Sequence, residues 1–297
     1  MMSGKMRLSI GAIVFLAGCT TTGMNGANDH SDHDTMPAAA SVSVPANAGL
    51  PADAATARAR LASSPRHGEW VTYKSGSDSI RAWVVYPQRK NNAPVVVVVH
   101  EIYGLTPWIR AVADQFASEG YIAIAPDLLT MKGLPNATDS VPSDLATAAI
   151  RTLNPDDVQR YIDATASYAM ALPSAQKKYG IVGFCWGGGI SFQHAVHSPA
   201  LGASVVYYGV SPSNESLTAV KAPVLGLYGG SDARVGATVP PADSTMRALG
   251  KTFTHYSYDG ASHGFLRQQS GQAGANLTAT QQAWPATIVW FRRYLGA

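Results

Sequence analysis

The tightest constraint on the fold is the run Val95-Val96-Val97-Val98-Val99, opened by Pro94 and closed by His100-Glu101. β-Branched side chains are stiff, disfavour a helix and suit a pleated surface. Successive side chains of a strand point to opposite faces, so this strand is apolar on both and needs cover on both. A parallel sheet flanked by helices supplies that cover. The rest of the chain alternates in the same sense. Glu69–Lys74 and Ile80–Tyr86 bracket the turn residues Ser75-Gly76-Ser77-Asp78 and predict a hairpin. Strands are predicted at Tyr121–Ala125, Tyr179–Phe184, Ala203–Tyr208, Pro223–Tyr228 and Thr252–Tyr258. Helices are predicted at Arg110–Glu119, Asp156–Leu172, Gly187–His197 and Trp284–Leu295. Gly120 stops the first, and Asn154 and Pro155 start the second. The alternation implies an α/β fold with a mostly parallel, twisted sheet and helices on both faces. Ligands of such sheets bind beyond the carboxyl ends of the strands, so residues just after each strand matter most.

Composition removes several other classes. With 46% hydrophobic and 14% charged residues in 297, the chain has material for a large core and is not a disordered polymer. Twenty-eight Gly and 18 Pro, without a period, exclude a collagen-like chain. A net charge of +3 without a basic stripe argues against a nucleic-acid partner. Two cysteines, Cys19 and Cys185, form no disulfide framework.

The first residues read as an address. Lys5 and Arg7 precede the short apolar run Leu8–Ala17, which has signal-peptide length and is too short to span a bilayer. It ends in Leu16-Ala17-Gly18-Cys19, which resembles the lipobox of bacterial lipoproteins. That resemblance implies cleavage before Cys19, acylation of its thiol and a lipid anchor in the cell envelope. Thr20 after the cysteine resembles outer-membrane sorting. The expected organisation is a signal peptide at 1–18, a flexible tether at 19–65 and a folded body at 66–297. His30 and His33, among Asp29, Asp32 and Asp34, read either as a weak metal site or as solvated linker. The ordering cost of a flexible segment favours the second, so no metal or other cofactor is assigned.

Three strand ends carry nucleophile chemistry. Strand 179–184 runs into Gly183-Phe184-Cys185-Trp186-Gly187-Gly188-Gly189, a strand-turn-helix elbow with Cys at the nucleophile position. The helix that follows favours a thiolate at its N-terminus. Strand 223–228 is followed by Gly229-Gly230-Ser231-Asp232, and the last strand by Asp259-Gly260-Ala261-Ser262-His263-Gly264. A histidine can take and return a proton near neutral pH, and a carboxylate can fix its tautomer. Taken singly, Cys185 also reads as a buried structural thiol, Asp232 as a turn carboxylate and His263 as a loop histidine. Together, in the order nucleophile, acid, imidazole, they follow the α/β-hydrolase pattern.

The valine strand ends in His100-Glu101-Ile102-Tyr103-Gly104, and the next predicted strand in Ala125-Pro126-Asp127-Leu128. With the elbow, Tyr207-Tyr208-Gly209 and His263-Gly264-Phe265, these motifs resemble the dienelactone hydrolase family over roughly Glu69 to the C-terminus. The resemblance implies an α/β-hydrolase fold and an ester or lactone hydrolase acting through an acyl-thioester. It makes Cys185 the nucleophile, His263 the base, Asp232 its orienter, and Glu101 an acidic residue that meets the resting thiol and moves when substrate binds. It also implies an oxyanion hole from the N–H groups of Ile102 and Trp186. Arg267 stands where the family has one arm of a substrate-carboxylate clamp. The other arm, an arginine with a tyrosine four residues later, has no counterpart between Leu128 and Asp157, where Lys132 and Arg151 are the only cations. Tyr103, Trp108 and Phe265 are expected as pocket walls or as core. Residues 128–155 are expected to form a lid-like insertion that sets specificity. The competing function is a non-catalytic, lipid-anchored binding lipoprotein on the same fold; the oligomeric state is not legible.

Overall fold

The computed structural model describes residues 49–89, 92–134 and 141–296. Among them eight strands form one sheet: β1 (Gly68–Ser75), β2 (Asp78–Val85), β3 (Ala93–Val99), β4 (Ile122–Pro126), β5 (Ala175–Phe184), β6 (Ala203–Tyr207), β7 (Val224–Gly229) and β8 (Phe253–Tyr258). Their order across the sheet is β1-β2-β4-β3-β5-β6-β7-β8. The β1–β2 hairpin is antiparallel and joins β4 antiparallel, and every pairing from β4 to β8 is parallel. This is an α/β-hydrolase fold.

The valine run sits in the middle of the sheet with all five residues fully buried. Its pleat divides the core. Val96 and Val98 face a layer built by α1 (Ala57–Ala62), α2 (Pro107–Ser118) and α8 (Ala275–Leu295). Val95, Val97 and Val99 face the layer of α4 (Pro155–Ala171), α5 (Trp186–His197) and α7 (Val239–Ala248). Two further short helices, α3 (Ser143–Ile150) and α6 (Ala233–Gly236), lie at the carboxyl side of the strands they follow.

Several boundaries differ from the sequence expectation, each for a local reason. α8 begins at Ala275 rather than Trp284, although Pro285 lies inside it. Proline is best tolerated in a first turn, so it reads as a start. Here the buried stripe Asn276, Ala279, Thr280, Ala283, Trp284, Thr287 and Ile288 carries the helix across the missing N–H. α2 starts earlier than Arg110, with Pro107 in its first turn.

The larger correction concerns the tether. Residues 50–65 are not a flexible link: Leu50, Ala52 and Ala57 are buried in the core and α1 packs there. Composition misses this because much of the anchorage is polar. The Trp108 indole N–H donates to the Ala52 carbonyl at 3.0 Å. Arg66 pairs with the buried Asp114 at 2.5 Å, and Ser64 donates to the same carboxylate. Cys19, His30 and His33 lie outside the described residues. No helix among the described residues is long and apolar enough to cross a membrane.

The first core layer depends on aromatic contacts between α2 and α8. Phe116 is fully buried, with its ring 4.6 Å from that of Trp284 and 5.8 Å from that of Phe291. Phe116→Ala is expected to lower unfolding free energy by about 3–5 kcal/mol. Urea titration would show this as a lower midpoint at unchanged slope, and a loss below about 1 kcal/mol would contradict the packing described.

Candidate active site

The site grows from the turn between β5 and α5. Cys185 occupies this turn with φ 57° and ψ −116°, a left-handed φ that an L-residue adopts only under constraint. The constraint is close packing of backbone on backbone. A Cβ on Gly183 would lie 1.8 Å from the Gly187 carbonyl oxygen, and one on Gly187 would lie 2.4 Å from the His100 oxygen. The Cys185 N–H donates to the Tyr207 carbonyl at 3.1 Å, which ties the elbow to β6.

Register places the other groups. Val99 pairs with Gly183, so the loop after β3 runs beside the elbow. Phe184 pairs with Tyr207, Tyr207 with Leu227, and Gly229 with Tyr258. The residues following β5, β6, β7 and β8 therefore line up along one rim. Gly230 N–H donates to Tyr258 O at 2.8 Å and Ser231 N–H to Ala261 O at 2.9 Å, stitching the Asp232 loop to the His263 loop. His263 Nδ1 lies 2.5 Å from Asp232 Oδ2. Asp232 Oδ1 also accepts from the Val235 N–H at the start of α6, so the carboxylate is held from two sides. The Tyr208 ring packs 5.1 Å from that of His263, and the same side chain interacts with Cys185, Glu101 and Arg267. The buried Tyr208 hydroxyl has no hydrogen-bond partner among the described residues.

The sulfur lies in opposing fields. Burial pushes the Cys185 thiol upward, and the Glu101 charge adds to that. The N–H of Trp186, the Arg234 guanidinium and the N–H of Ile102 act the other way and favour thiolate. The two N–H groups named from the sequence thus both favour the charged sulfur. Glu101 is itself 4% exposed; burial pushes its carboxyl up to about 7, against the pull of Arg267. Arg267 Nε stands 3.3 Å from Glu101 Oε2, and its guanidinium lies over the Tyr103 ring at 4.8 Å. Arg267 thus sits at the site, in contact with Glu101.

Other expectations change. Phe265 is fully buried among Tyr207, Tyr208 and Tyr258, so it backs the site and does not line a pocket. Trp108, 2% exposed against Phe184, is core as well. Lys132 spends its ammonium on the Thr152 carbonyl. In the 128–155 segment, α3 buries Ala146 and Ile150 with Leu129, against Ile102 and Trp186. α3 therefore rests on the side chains of Ile102 and Trp186, one from each of the two loops beside the sulfur.

Three positioning residues went unsingled in the sequence reading. His100 is fully buried, and its Nδ1–H donates to the Glu101 carbonyl at 2.7 Å while Nε2 accepts from the Leu128 N–H at 3.3 Å. Burial pushes its imidazole down to about 4, so it stays neutral and holds the loop in place. Its place directly before Glu101 at a strand end was the available signal. Arg234, two residues after Asp232, had a weaker one. Asn276 had none: from α8 its Oδ1 accepts the Ser262 N–H at 2.9 Å and its Nδ2 donates to Gln268 O at 2.8 Å. It clamps both ends of the loop carrying His263 and Arg267.

Fold and rim together define an α/β-hydrolase. A profile of the dienelactone hydrolase family matches residues 80–295, and the chain belongs to that family. It is 32% identical over 234 residues to a protein of Salmonella typhimurium named "Putative carboxymethylenebutenolidase", covering 75% of this chain and 86% of the relative. A protein of Escherichia coli K12 with the same name is 31% identical over 239 residues, covering 76% and 87%. Among solved structures, a "Putative Dienelactone Hydrolase" from Klebsiella pneumoniae superposes with a TM-score of 0.69 at 29% identity, covering 77% of this chain and 99% of that one. The chain is a hydrolase of this family.

The buried carboxyl gives a pH signature. Below about pH 4.5 Glu101 is protonated in both folded and unfolded chains; between there and about 7 only the unfolded chain ionises, so its contribution to stability is lost as pH rises through that window. Glu101→Gln, neutral throughout, is expected to be more stable than the parent at pH 8 by on the order of 2 kcal/mol, with the gain fading toward pH 5. Urea unfolding at pH 5, 6.5 and 8 measures it; a gain independent of pH would refute the buried-acid account.

Proposed function

We propose that the chain hydrolyses a carboxylic ester or lactone bearing a further negative charge. Cys185 is the nucleophile, His263 the general base and acid, and Asp232 the orienter of the imidazole. The observation that carries the reading is the rim itself: the strained Cys185 elbow and the His263–Asp232 pair at 2.5 Å stand on strand ends that register brings side by side, and the N–H groups of Ile102 and Trp186 favour a charged sulfur. Backbone donors from two separate segments are what a developing oxyanion beside that sulfur requires.

At rest, burial and the Glu101 charge keep the thiol protonated. An anionic substrate group drawn to Arg267 competes with Glu101 for the guanidinium. Glu101 then loses the cation that holds its pKa down and becomes a better proton acceptor. The thiol proton passes to Glu101, and the neutral carboxyl no longer opposes the thiolate. The thiolate attacks the carbonyl carbon, and the carbonyl electron pair moves to oxygen, facing Ile102 and Trp186. Collapse breaks the C–O bond, and the departing oxygen takes the proton that Glu101 received from the thiol, leaving an acyl-thioester. Water, deprotonated by His263, adds to the thioester, and the C–S bond breaks to release the acid and a thiolate, which takes back a proton from His263.

Cys185→Ala is expected to lower turnover of aryl esters and lactones by about 10³-fold or more. Mass spectrometry of His263→Ala with substrate should show an acyl adduct on the peptide carrying Cys185. Turnover by Cys185→Ala within about 10-fold of the parent would sink the mechanism.

We also propose that Cys19 carries a lipid anchor in a bacterial envelope, on the strength of Lys5, Arg7, the apolar run and Leu16-Ala17-Gly18-Cys19. Grown with labelled palmitate in a bacterial host, the parent should take up label and Cys19→Ala should not. An unlabelled parent would remove the anchor.

A further inference from the structure

The segment Leu50–Ala54 lies outside the stretch that the family profile matches, which begins at residue 80. It is nevertheless bonded to the loop that carries Arg267. The Ala54 N–H donates to the Arg267 carbonyl at 2.9 Å. The Gln269 side-chain amide donates to the Pro51 carbonyl at 2.9 Å, and also to Leu266 O at 3.2 Å. The segment is itself held firmly. Trp108 donates to Ala52 O, Arg60 donates to Leu50 O, and the Asp53 carboxylate accepts from both the N–H and the hydroxyl of Thr56. Leu50 and Ala52 share a core cluster with Leu266 and Phe265, the loop's own buried residues. Further along, Arg66 and Ser64 close on Asp114 of α2.

These bonds bear on one side chain. Arg267 follows a tight turn in which its N–H and that of Gln268 both donate to Gly264 O. Its own carbonyl points outward and is taken by Ala54. The main chain under Arg267 is therefore fixed on the His263 side by the turn and on the outer side by the N-terminal segment. A long side chain reaches a target at fixed distance only from a fixed base, and the target here is Glu101 at 3.3 Å.

We propose that Leu50–Ala54 is a strap that positions Arg267, and so sets the affinity of the site for a carboxylate-bearing ester. The inference rests on the reading above that Arg267 receives the substrate's anionic group. It assigns a specificity role to a part of the chain before the family match, with Ala54 and Gln269 as positioning residues. A purely structural strap would support the whole fold and affect every substrate alike. A strap that positions Arg267 affects the ester that carries the anion and spares the one that carries none.

The test uses the full chain and two esters with the same leaving group, para-nitrophenyl acetate and the para-nitrophenyl monoester of succinate. Ala54→Pro removes the donor to Arg267, Ala54→Gly keeps it, and Gln269→Ala cuts the second tie without altering the main chain. For Ala54→Pro and Gln269→Ala, KM for the succinate ester is expected to rise about 5-fold, with kcat for both esters and KM for the acetate within about 2-fold of the parent. Ala54→Gly should match the parent. If Ala54→Pro does not fold, judged by loss of its cooperative melt, Gln269→Ala decides. Equal changes on both esters, or none, overturn the proposal. Arg267→Ala separates this from failure of the underlying reading. If it raises KM for the succinate ester while the strap variants do not, the strap alone is wrong. If it leaves that KM unchanged, the anion reading falls and the strap proposal falls with it.

Discussion

Everything at this site follows from backbone pressed against backbone at the elbow after β5. Gly183 and Gly187 leave no room for a Cβ, so the first turn of α5 sits directly on the end of β3. That contact forces Cys185 into a left-handed φ, which costs on the order of 1–3 kcal/mol for a residue with a side chain. It also brings together two segments far apart in sequence, whose N–H groups at Ile102 and Trp186 both favour the charged sulfur. His100 completes the arrangement by fixing the loop after β3 to the end of β4. The neutral imidazole suits that task, since a buried charge there would need a counter-ion.

A second balance is electrostatic. The sulfur, the Glu101 carboxyl and the Arg267 guanidinium share a poorly solvated rim, where each charge depends on the others. Burial favours the neutral thiol and the neutral acid, and Arg267 favours the ionised acid. Such an arrangement rests in a quiet state and changes when a new charge enters. Substrate selection and thiol activation then draw on the same cation, and the bonding of the Arg267 loop to α8 and to the N-terminal strap sets where that cation stands.

The sequence made the main elements legible because their signals are local. The valine run, the hairpin turn and the Asn154-Pro155 helix start each depend on a few neighbouring residues, and the strands stand close to where those signals place them. The packing of Ile102 and Trp186 under α3 was not legible, because it joins three separate segments. Phe265 was not legible as core, since a Gly-x-x-His-x-Phe loop looks the same whether its aromatic faces a pocket or packs on Tyr207 and Tyr258. The tether boundary failed for a related reason. Residues 50–65 are held partly by their backbone carbonyls and by Asp114, and composition is blind to such partners.

The amino-acid sequence by itself determined that this chain would form a parallel sheet covered on both faces, and which residues would stand at its strand ends. Those outcomes are set by side-chain branching, by the two-residue period of a strand and by glycine at the elbow. Only the tertiary structure decided which of the strand-end groups meet, that Arg267 pairs with Glu101, and that Asn276 and the strap hold the Arg267 loop. Such contacts join residues up to 218 positions apart, as between Pro51 and Gln269, and depend on how whole layers pack, which no local pattern encodes.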